Sequence, residues 1–313
     1  MRVAISGASG TLGSRLRAAL LQRGDEVVSL VRRETGSPDE RYWDPTSGYI
    51  EAPGLADVDV VVNLAGAPIS GSRWSKKYMD TILDSRLDST ETLVEAIGEA
   101  KKEGRGPKLL LSASAAGHYG PHPGDVALTE DAGAGPGFLA RVTKQWEAAA
   151  NRARDFGVNV VTLRTGLVLA PEGGMIAALR LPTLAGLIGP VGKGDQWFPW
   201  ITAEDHVRAM MHLIDEGVAG GAGGPANLAS PNPVTNKEFM KRYAHSLGRP
   251  AFMPFPTVLA GLVLTPRMVD ETLAAGQRAL PGVLLETGFQ FNQPTLDAAL
   301  EWLKRETAAR KNT

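Results

Sequence analysis

Gly7, Gly10 and Gly13 stand in the run Gly7-Ala8-Ser9-Gly10-Thr11-Leu12-Gly13, with spacing G-x-x-G-x-x-G. A turn that cradles a pyrophosphate needs each glycine for a different reason. Gly7 permits the tight turn, Gly10 lets a phosphate approach the backbone, and Gly13 lets a helix pack closely on a strand. Amides at the helix start then face the phosphates, aided by the helix dipole. Three glycines alone are a weak signal. Here they follow a strand-like run, Arg2–Ser6, and open a helical pattern, Thr11–Arg23, with Leu12, Leu16, Ala19 and Leu20 on one face. The competing reading is a glycine-rich turn with no ligand.

The end of the next strand-like run, Glu26–Val31, selects among dinucleotides. NAD binders usually place an acidic residue there for the ribose hydroxyls. This chain has Val31-Arg32-Arg33, with Glu34 displaced beyond them. An arginine fork suits a 2′-phosphate and stacks on adenine, which points to NADP(H) as the cofactor. Arg33 could equally be an ordinary surface charge.

These residues need a scaffold. Val58–Leu64, Lys108–Ser112 and Val158–Leu163 are further short β-branched or leucine-rich runs, and helical patterns cover Leu87–Glu103 and Leu139–Phe156. The runs lack alternation, as strands buried on both faces of a parallel sheet do. The βαβα order predicts an α/β fold, a Rossmann-type doubly wound parallel sheet. Gly and Pro punctuate residues 173–194 and 217–233, and helical patterns return at Asn236–Leu247 and Pro294–Arg305. We therefore expect an NADP-binding domain over 1–166, with 200–230 returning to it. A smaller, mostly helical substrate lobe would comprise 167–199 and 231–313.

Composition bounds the function. The 313 residues carry a formal net charge of -1, which makes no electrostatic case for nucleic acid or an anionic membrane as partner. The absence of cysteine excludes disulfides, thiolate metal sites and cysteine nucleophiles, and no metal site is expected. The opening MRVAIS is strand-like rather than a charged leader with an apolar core, which predicts a cytoplasmic protein. The apolar segment Val258–Thr265 is too short to span a bilayer. The terminal AARKNT reads as a frayed end.

The glycine turn, Asn63-Leu64-Ala65-Gly66 and Ser112-Ala113-Ser114 resemble the extended or atypical short-chain dehydrogenases/reductases. More specific strings are Arg73-Trp74, Ser85-Arg86, Trp146-Glu147-Ala148-Ala149 and Arg164 through Leu169. Others are Gly192 through Trp197, Asn227 through Pro231, and Gly288-Phe289-Gln290-Phe291. Together they look like the nucleotide-sugar-epimerase-like "epimerase family" of that superfamily, nearly end to end, including its C-terminal helical extension. The resemblance implies cofactor contacts from Gly7, Ser9, Gly10, Thr11, Leu12 and Gly13, from Arg32, and from Leu64, Ala65 and Gly66. It also implies contacts from Arg86 and from Arg164, Thr165 and Gly166, and it places Asp44 near adenine. Arg86 could instead pair with a carboxylate on the helix surface.

Reductases of that superfamily pair a tyrosine with a lysine four residues later, and a serine or threonine polarises the substrate oxygen. Ser114 matches the serine position. Its alternative is a strand-end hydroxyl bonded to backbone. The tyrosine is missing, because Lys144 has Ala140 four residues before it. Tyr119, on the loop Gly117-His118-Tyr119-Gly120, or His118, with a pKa suited to neutral pH, could supply the acid/base instead. Either could simply shape the pocket. Lys144 could touch the cofactor or lie on a solvated helix face. Glu147 is expected to help hold the loop after the fifth strand.

Trp74, Trp146, Trp197, Phe198 and Trp200 could line a cleft for an unidentified small molecule or pack between lobes, with Gly186–Gly194 as a lid and Lys193 available for an anionic group. Three functions stay open. They are an NADP-dependent oxidoreductase, a nucleotide-sugar epimerase, and a non-catalytic NADP(H)-sensing regulator. Oligomeric state is not legible.

Overall fold

The computed structural model describes residues 1–122, 124–251 and 265–310. The expectations for Val258–Leu264 and for Lys311–Thr313 lie outside the described residues.

The chain forms two compact units. The first is Met1–Ser114, Val142–Arg164 and Val207–Ala226; the second is Ala115–Arg141, Thr165–His206 and Asn227–Thr313. The first is built on strands β1 (Arg2–Ser6), β2 (Glu26–Val31), β3 (Glu40–Asp44), β4 (Tyr49–Ile50), β5 (Val60–Asn63), β6 (Leu109–Ala115) and β8 (Asn159–Thr165). With β12 (Gly224–Leu228) these form one eight-stranded sheet, in the order β12-β8-β6-β5-β1-β2-β3-β4. β1 pairs in parallel with both β2 and β5, β2 with β3 and β5 with β6, and the β3–β4 hairpin is antiparallel. The chain winds outward through β2 and β3, then returns across β1 to β5 and β6. That reversal is the switch point at which open α/β sheets bind ligands, and it puts the loop after β1 there.

The strands are continuous apolar runs because both faces are covered. Ala4, Val28, Val61, Leu110 and Val160 contribute successive strands to one core, closed by Leu93, Val94 and Ile97 of a helix. Helix α1 (Thr11–Arg23) buries Leu16 and Leu20 and ends where Gly24 adopts φ 91° and returns its amide to the Leu20 and Leu21 carbonyls. Helix α2 runs from Lys76 to Lys102, eleven residues longer at its start than the apolar pattern suggested. Ser75 is the signal that pattern missed, since its hydroxyl caps the helix by accepting from the Tyr78 amide. Helix α3 (Phe138–Asn151) gives way to a 3-10 turn, Arg152–Phe156, which Gly157 ends at φ 73°.

The second unit holds helices α4 (Gly174–Leu184) and α6 (Asn236–Ser246), the C-terminal helix Leu296–Ala309, and short strands. The strands pair as β7 (Ala127–Leu128) with β14 (Arg278–Ala279), β9 (Leu167–Leu169) with β11 (Trp200–Thr202), and β10 (Trp197–Phe198) with β13 (Val234–Thr235). Helix α5 (Ala203–Ala219) is shared in sequence between the units. Among the described residues no helix is long and apolar enough to cross a membrane, and no cluster of His, Asp and Glu is arranged to hold a metal.

Candidate functional site

The turn after β1 is built to exclude side chains. Gly7 has φ 72°, and a Cβ on it would lie 2.9 Å from the Leu64 carbonyl carbon. A Cβ on Gly13 would lie 2.2 Å from the Gly7 carbonyl oxygen, well inside contact distance. Gly10 donates its amide to that carbonyl at 3.0 Å and begins α1 with no side-chain cap and no acidic residue in the first turn. The first amides of α1 are therefore left for an outside anion, with the helix dipole favouring one.

Around this turn lies a cleft of about 1080 Å³, wholly within the first unit. Gly7, Ser9, Gly10, Arg32, Leu64, Ala65 and Gly66 line it; Thr11, Leu12 and Gly13 continue into α1 behind. Three arginines reach it, but two are committed elsewhere. Arg33 bonds Glu40 at 2.9 Å and Arg17 bonds Asp39. Arg32 is exposed and makes no ion pair among the described residues.

The Leu64–Gly66 wall is held from behind. The Ser6 hydroxyl donates to Asn63 Oδ1 at 2.7 Å and accepts from the Leu64 and Ala65 amides at 3.2 and 3.3 Å. Asn63 Nδ2 donates to Thr90 Oγ1, which also accepts from Trp146 Nε1, each at 2.9 Å. Trp146 is thus a framework residue. Arg86 is 8% exposed and sits behind Gly66. Its Nη1 donates to the Ala67 and Ile82 carbonyls at 3.1 and 2.8 Å, and its guanidinium lies over the Trp146 ring at 5.0 Å. Burial lowers its pKa to about 10. Among the described residues no carboxylate partners it.

Asp44 is engaged locally. Its carboxylate accepts from the Thr46 amide at 3.0 Å, the Thr46 hydroxyl at 2.7 Å and the Ser47 hydroxyl at 2.8 Å. These bonds, Thr46 first, hold its pKa below the ordinary value. Its neighbours Trp43, Pro45 and Thr46 line the cleft instead. Thr81, Asp84, Ser85, Asp88 and Ser89 of α2 line it too. Of these, only Ser85 belongs to a string that carries the family resemblance, although their spacing of three and four is a polar stripe on one helix face.

At the carboxyl end of β6, the Ser114 hydroxyl donates to Glu147 Oε1 at 2.7 Å. Arg164 grips the same carboxylate, Nε to Oε1 at 2.9 Å and Nη2 to Oε2 at 3.0 Å. All three residues are buried. Arg164 therefore sits in an ion pair here, while the adjoining Thr165 and Gly166 belong to the second unit. There the Thr165 hydroxyl lies 3.0 Å from His206 Nε2, and the Gly166 amide donates to the Leu228 carbonyl at 3.0 Å. Complete burial pushes the His206 pKa down to about 3, so the ring stays neutral.

The two alternative acid/base candidates lie in the 3-10 turn Ala116–Tyr119, both buried. The Tyr119 hydroxyl is 2.7 Å from Asn227 Oδ1 and 3.1 Å from the Thr129 carbonyl oxygen. His118 stacks edge-on to it at 5.5 Å. On α3, Ala140 is buried and Lys144 exposed. In the second unit Trp200 and Phe198 are buried, Phe198 packs on Phe239, and Arg278 lies over the half-buried Trp197 at 4.8 Å. In the expected lid, Lys193 is exposed, and the Val191 amide is pinned by Asn236 Oδ1 at 2.8 Å.

Residues 3–229 match the NAD dependent epimerase/dehydratase family, and residues 255–303 match a domain of unknown function. An epimerase family protein of Mycobacterium bovis, Mb2239, is 40% identical over 298 residues, covering 95% of this chain and 96% of its own. The human epimerase family protein SDR39U1 is 34% identical over 303 residues, covering 96% and 99%. The crystal structure of its isoform 2 with NADPH superimposes with TM-score 0.87 at 33% identity, covering 97% of this chain and 99% of that one.

Proposed function

Because the chain belongs to the NAD-dependent epimerase/dehydratase family, we propose that it is an NADP(H)-dependent oxidoreductase acting on a small molecule. The observation that carries this reading is the glycine-walled cleft with Arg32, which makes no ion pair among the described residues. The residues fit the group. Gly10 leaves room for a pyrophosphate on a turn that Gly7 and Gly13 keep tight, the α1 amides suit its charge, and Arg32 suits a 2′-phosphate. The NADPH found with the human relative supports the same assignment.

When bound, the dinucleotide supplies or takes up a hydride. The chain has to manage the accompanying proton without a tyrosine and lysine on α3. Ser114 is the group we assign to the substrate oxygen. Its hydrogen is given to Glu147, so its oxygen is left to accept from a substrate hydroxyl. A proton leaving that hydroxyl would pass to Ser114 as the Ser114 proton passes to Glu147; reduction runs the path backwards. Arg164 keeps the carboxylate in place.

The test is a scan of carbonyl, enone and imine compounds for NADPH consumption, with Ser114→Ala as control. Arg32→Ala should weaken NADPH binding by roughly tenfold or more and leave NADH nearly unchanged, as loss of one charge-assisted phosphate contact would. Tight NADPH binding without turnover of any compound would overturn the oxidoreductase reading. It would favour a sensing role, for which Ala140 in place of tyrosine is the supporting observation.

A further inference from the structure

The walls of the cleft carry opposite charge. Arginines arrive at the end of β2, whereas Asp84 and Asp88 arrive from α2. They stand one helical turn apart on the face that also presents Thr81, Ser85 and Ser89. One turn beyond Asp88, the Thr92 hydroxyl donates to the Pro45 carbonyl at 3.2 Å. That bond ties this part of α2 to the end of β3 and the loop after it, where Trp43, Pro45 and Thr46 line the cleft. Asp44, the last residue of β3, accepts from Thr46 and Ser47. Asp88 has neither a hydrogen bond nor an ion pair among the described residues. Burial, then the neighbouring Asp84, raise its pKa.

A polyanionic dinucleotide cannot place its phosphates against two carboxylates. It can place a neutral hydrogen-bond donor there. We propose that Asp88, with Asp84 one turn before it, receives the exocyclic amino group of the adenine base, so that α2 reads the base while Arg32 reads the phosphate. This rests on the dinucleotide reading above. It adds a residue to base recognition that the resemblance did not indicate, in place of Asp44.

The test needs no substrate. Binding of NADPH is compared with that of its reduced hypoxanthine analogue, in which a carbonyl oxygen replaces the amino group. Losing a hydrogen bond to a charged acceptor and facing oxygen to carboxylate should weaken the analogue by roughly tenfold or more. Asp88→Asn, whose amide can donate to that carbonyl, should bring the two affinities within about threefold, on the same hydrogen-bond accounting. Asp88 has no partner to lose, so the variant should melt close to wild type by circular dichroism. Equal wild-type affinities would overturn the proposal even if the variant failed to fold. So would an Asp88→Asn protein that keeps the wild-type ratio. Binding of neither dinucleotide would overturn this proposal together with the cofactor assignment, whereas binding of both equally would overturn this proposal alone.

Discussion

Ser114 Oγ lies 2.7 Å from Glu147 Oε1, and the serine is the donor in that bond. Glu147 stands on α3 seven residues beyond Ala140, the position at which the family resemblance leads one to expect a tyrosine, and three beyond the exposed Lys144. The helix thus meets the strand-end serine with a carboxylate instead of a phenol, and Arg164 balances the charge.

Glu147→Ala should be far more damaging than Ser114→Ala. Removing the carboxylate breaks a buried, two-bond ion pair with Arg164, a loss on the order of 3–5 kcal/mol. Removing the hydroxyl deletes one hydrogen bond while the ion pair survives, about 1 kcal/mol. Denaturant unfolding of both single variants and the double variant would check this, with the double falling short of the sum. A Glu147→Ala protein as stable as Ser114→Ala would contradict the buried pair.

Tyr119→Phe should act on stability rather than on cofactor affinity. Its hydroxyl bonds Asn227, whose amide nitrogen donates to the Leu128 and Leu280 carbonyls at 3.1 and 2.8 Å. Deleting the hydroxyl strands a buried acceptor at a cost of about 1–2 kcal/mol. NADPH affinity measured by calorimetry should stay within about twofold, because its partners belong to the second unit's packing.

Two glycines should separate crowding from strain. Gly13→Ala drives a methyl into the Gly7 carbonyl, 2.2 Å away, and nothing flexible can yield. We expect about 2 kcal/mol or more of destabilisation, with NADPH binding lost, since the turn itself must shift. Gly24→Ala meets nothing within 4 Å but must hold φ at 91°. Its cost should be about 1 kcal/mol, with binding intact. Thermal melts and a binding titration on the same samples distinguish the two.

Asp57 should make part of the fold's stability depend on acid. Burial works to raise its pKa, but two bonds from Arg41 at 3.0 Å each and the Arg2 guanidinium at 3.2 Å outweigh it, and the net shift is downward. A folded pKa below the unfolded one means stability that is complete above the unfolded value, near 4, and is lost as pH falls through the folded value. Asp57→Asn should therefore cost about 1 kcal/mol at pH 7 and progressively less below about pH 4. A stability difference unchanged across that window would refute the assignment.

What the sequence determined by itself is local. Arg2–Ser6, the glycine turn and Thr11–Arg23 are contiguous, and their steric demands are set by covalent neighbours, so strand, turn and helix appear where their pattern placed them. The parallel sheet was legible for a similar reason, because strands covered on both faces need unbroken apolar runs. The onset of α2 escaped because the apolar stripe begins later than the Ser75 cap.

Only the tertiary structure decided which polar residues are available. Arg32 and Arg33 are indistinguishable as text, yet Glu40 takes one and leaves the other. Arg164 goes to Glu147 and Tyr119 to Asn227, the latter 108 positions away along the chain. Asp84 and Asp88 carry no signal in their local spacing, and only the packing of α2 places them at the cleft wall. The physical reason is that a charge or hydroxyl does chemistry only if folding leaves its partner outside the protein. Partners are assigned by packing between segments distant in sequence, which no local spacing encodes.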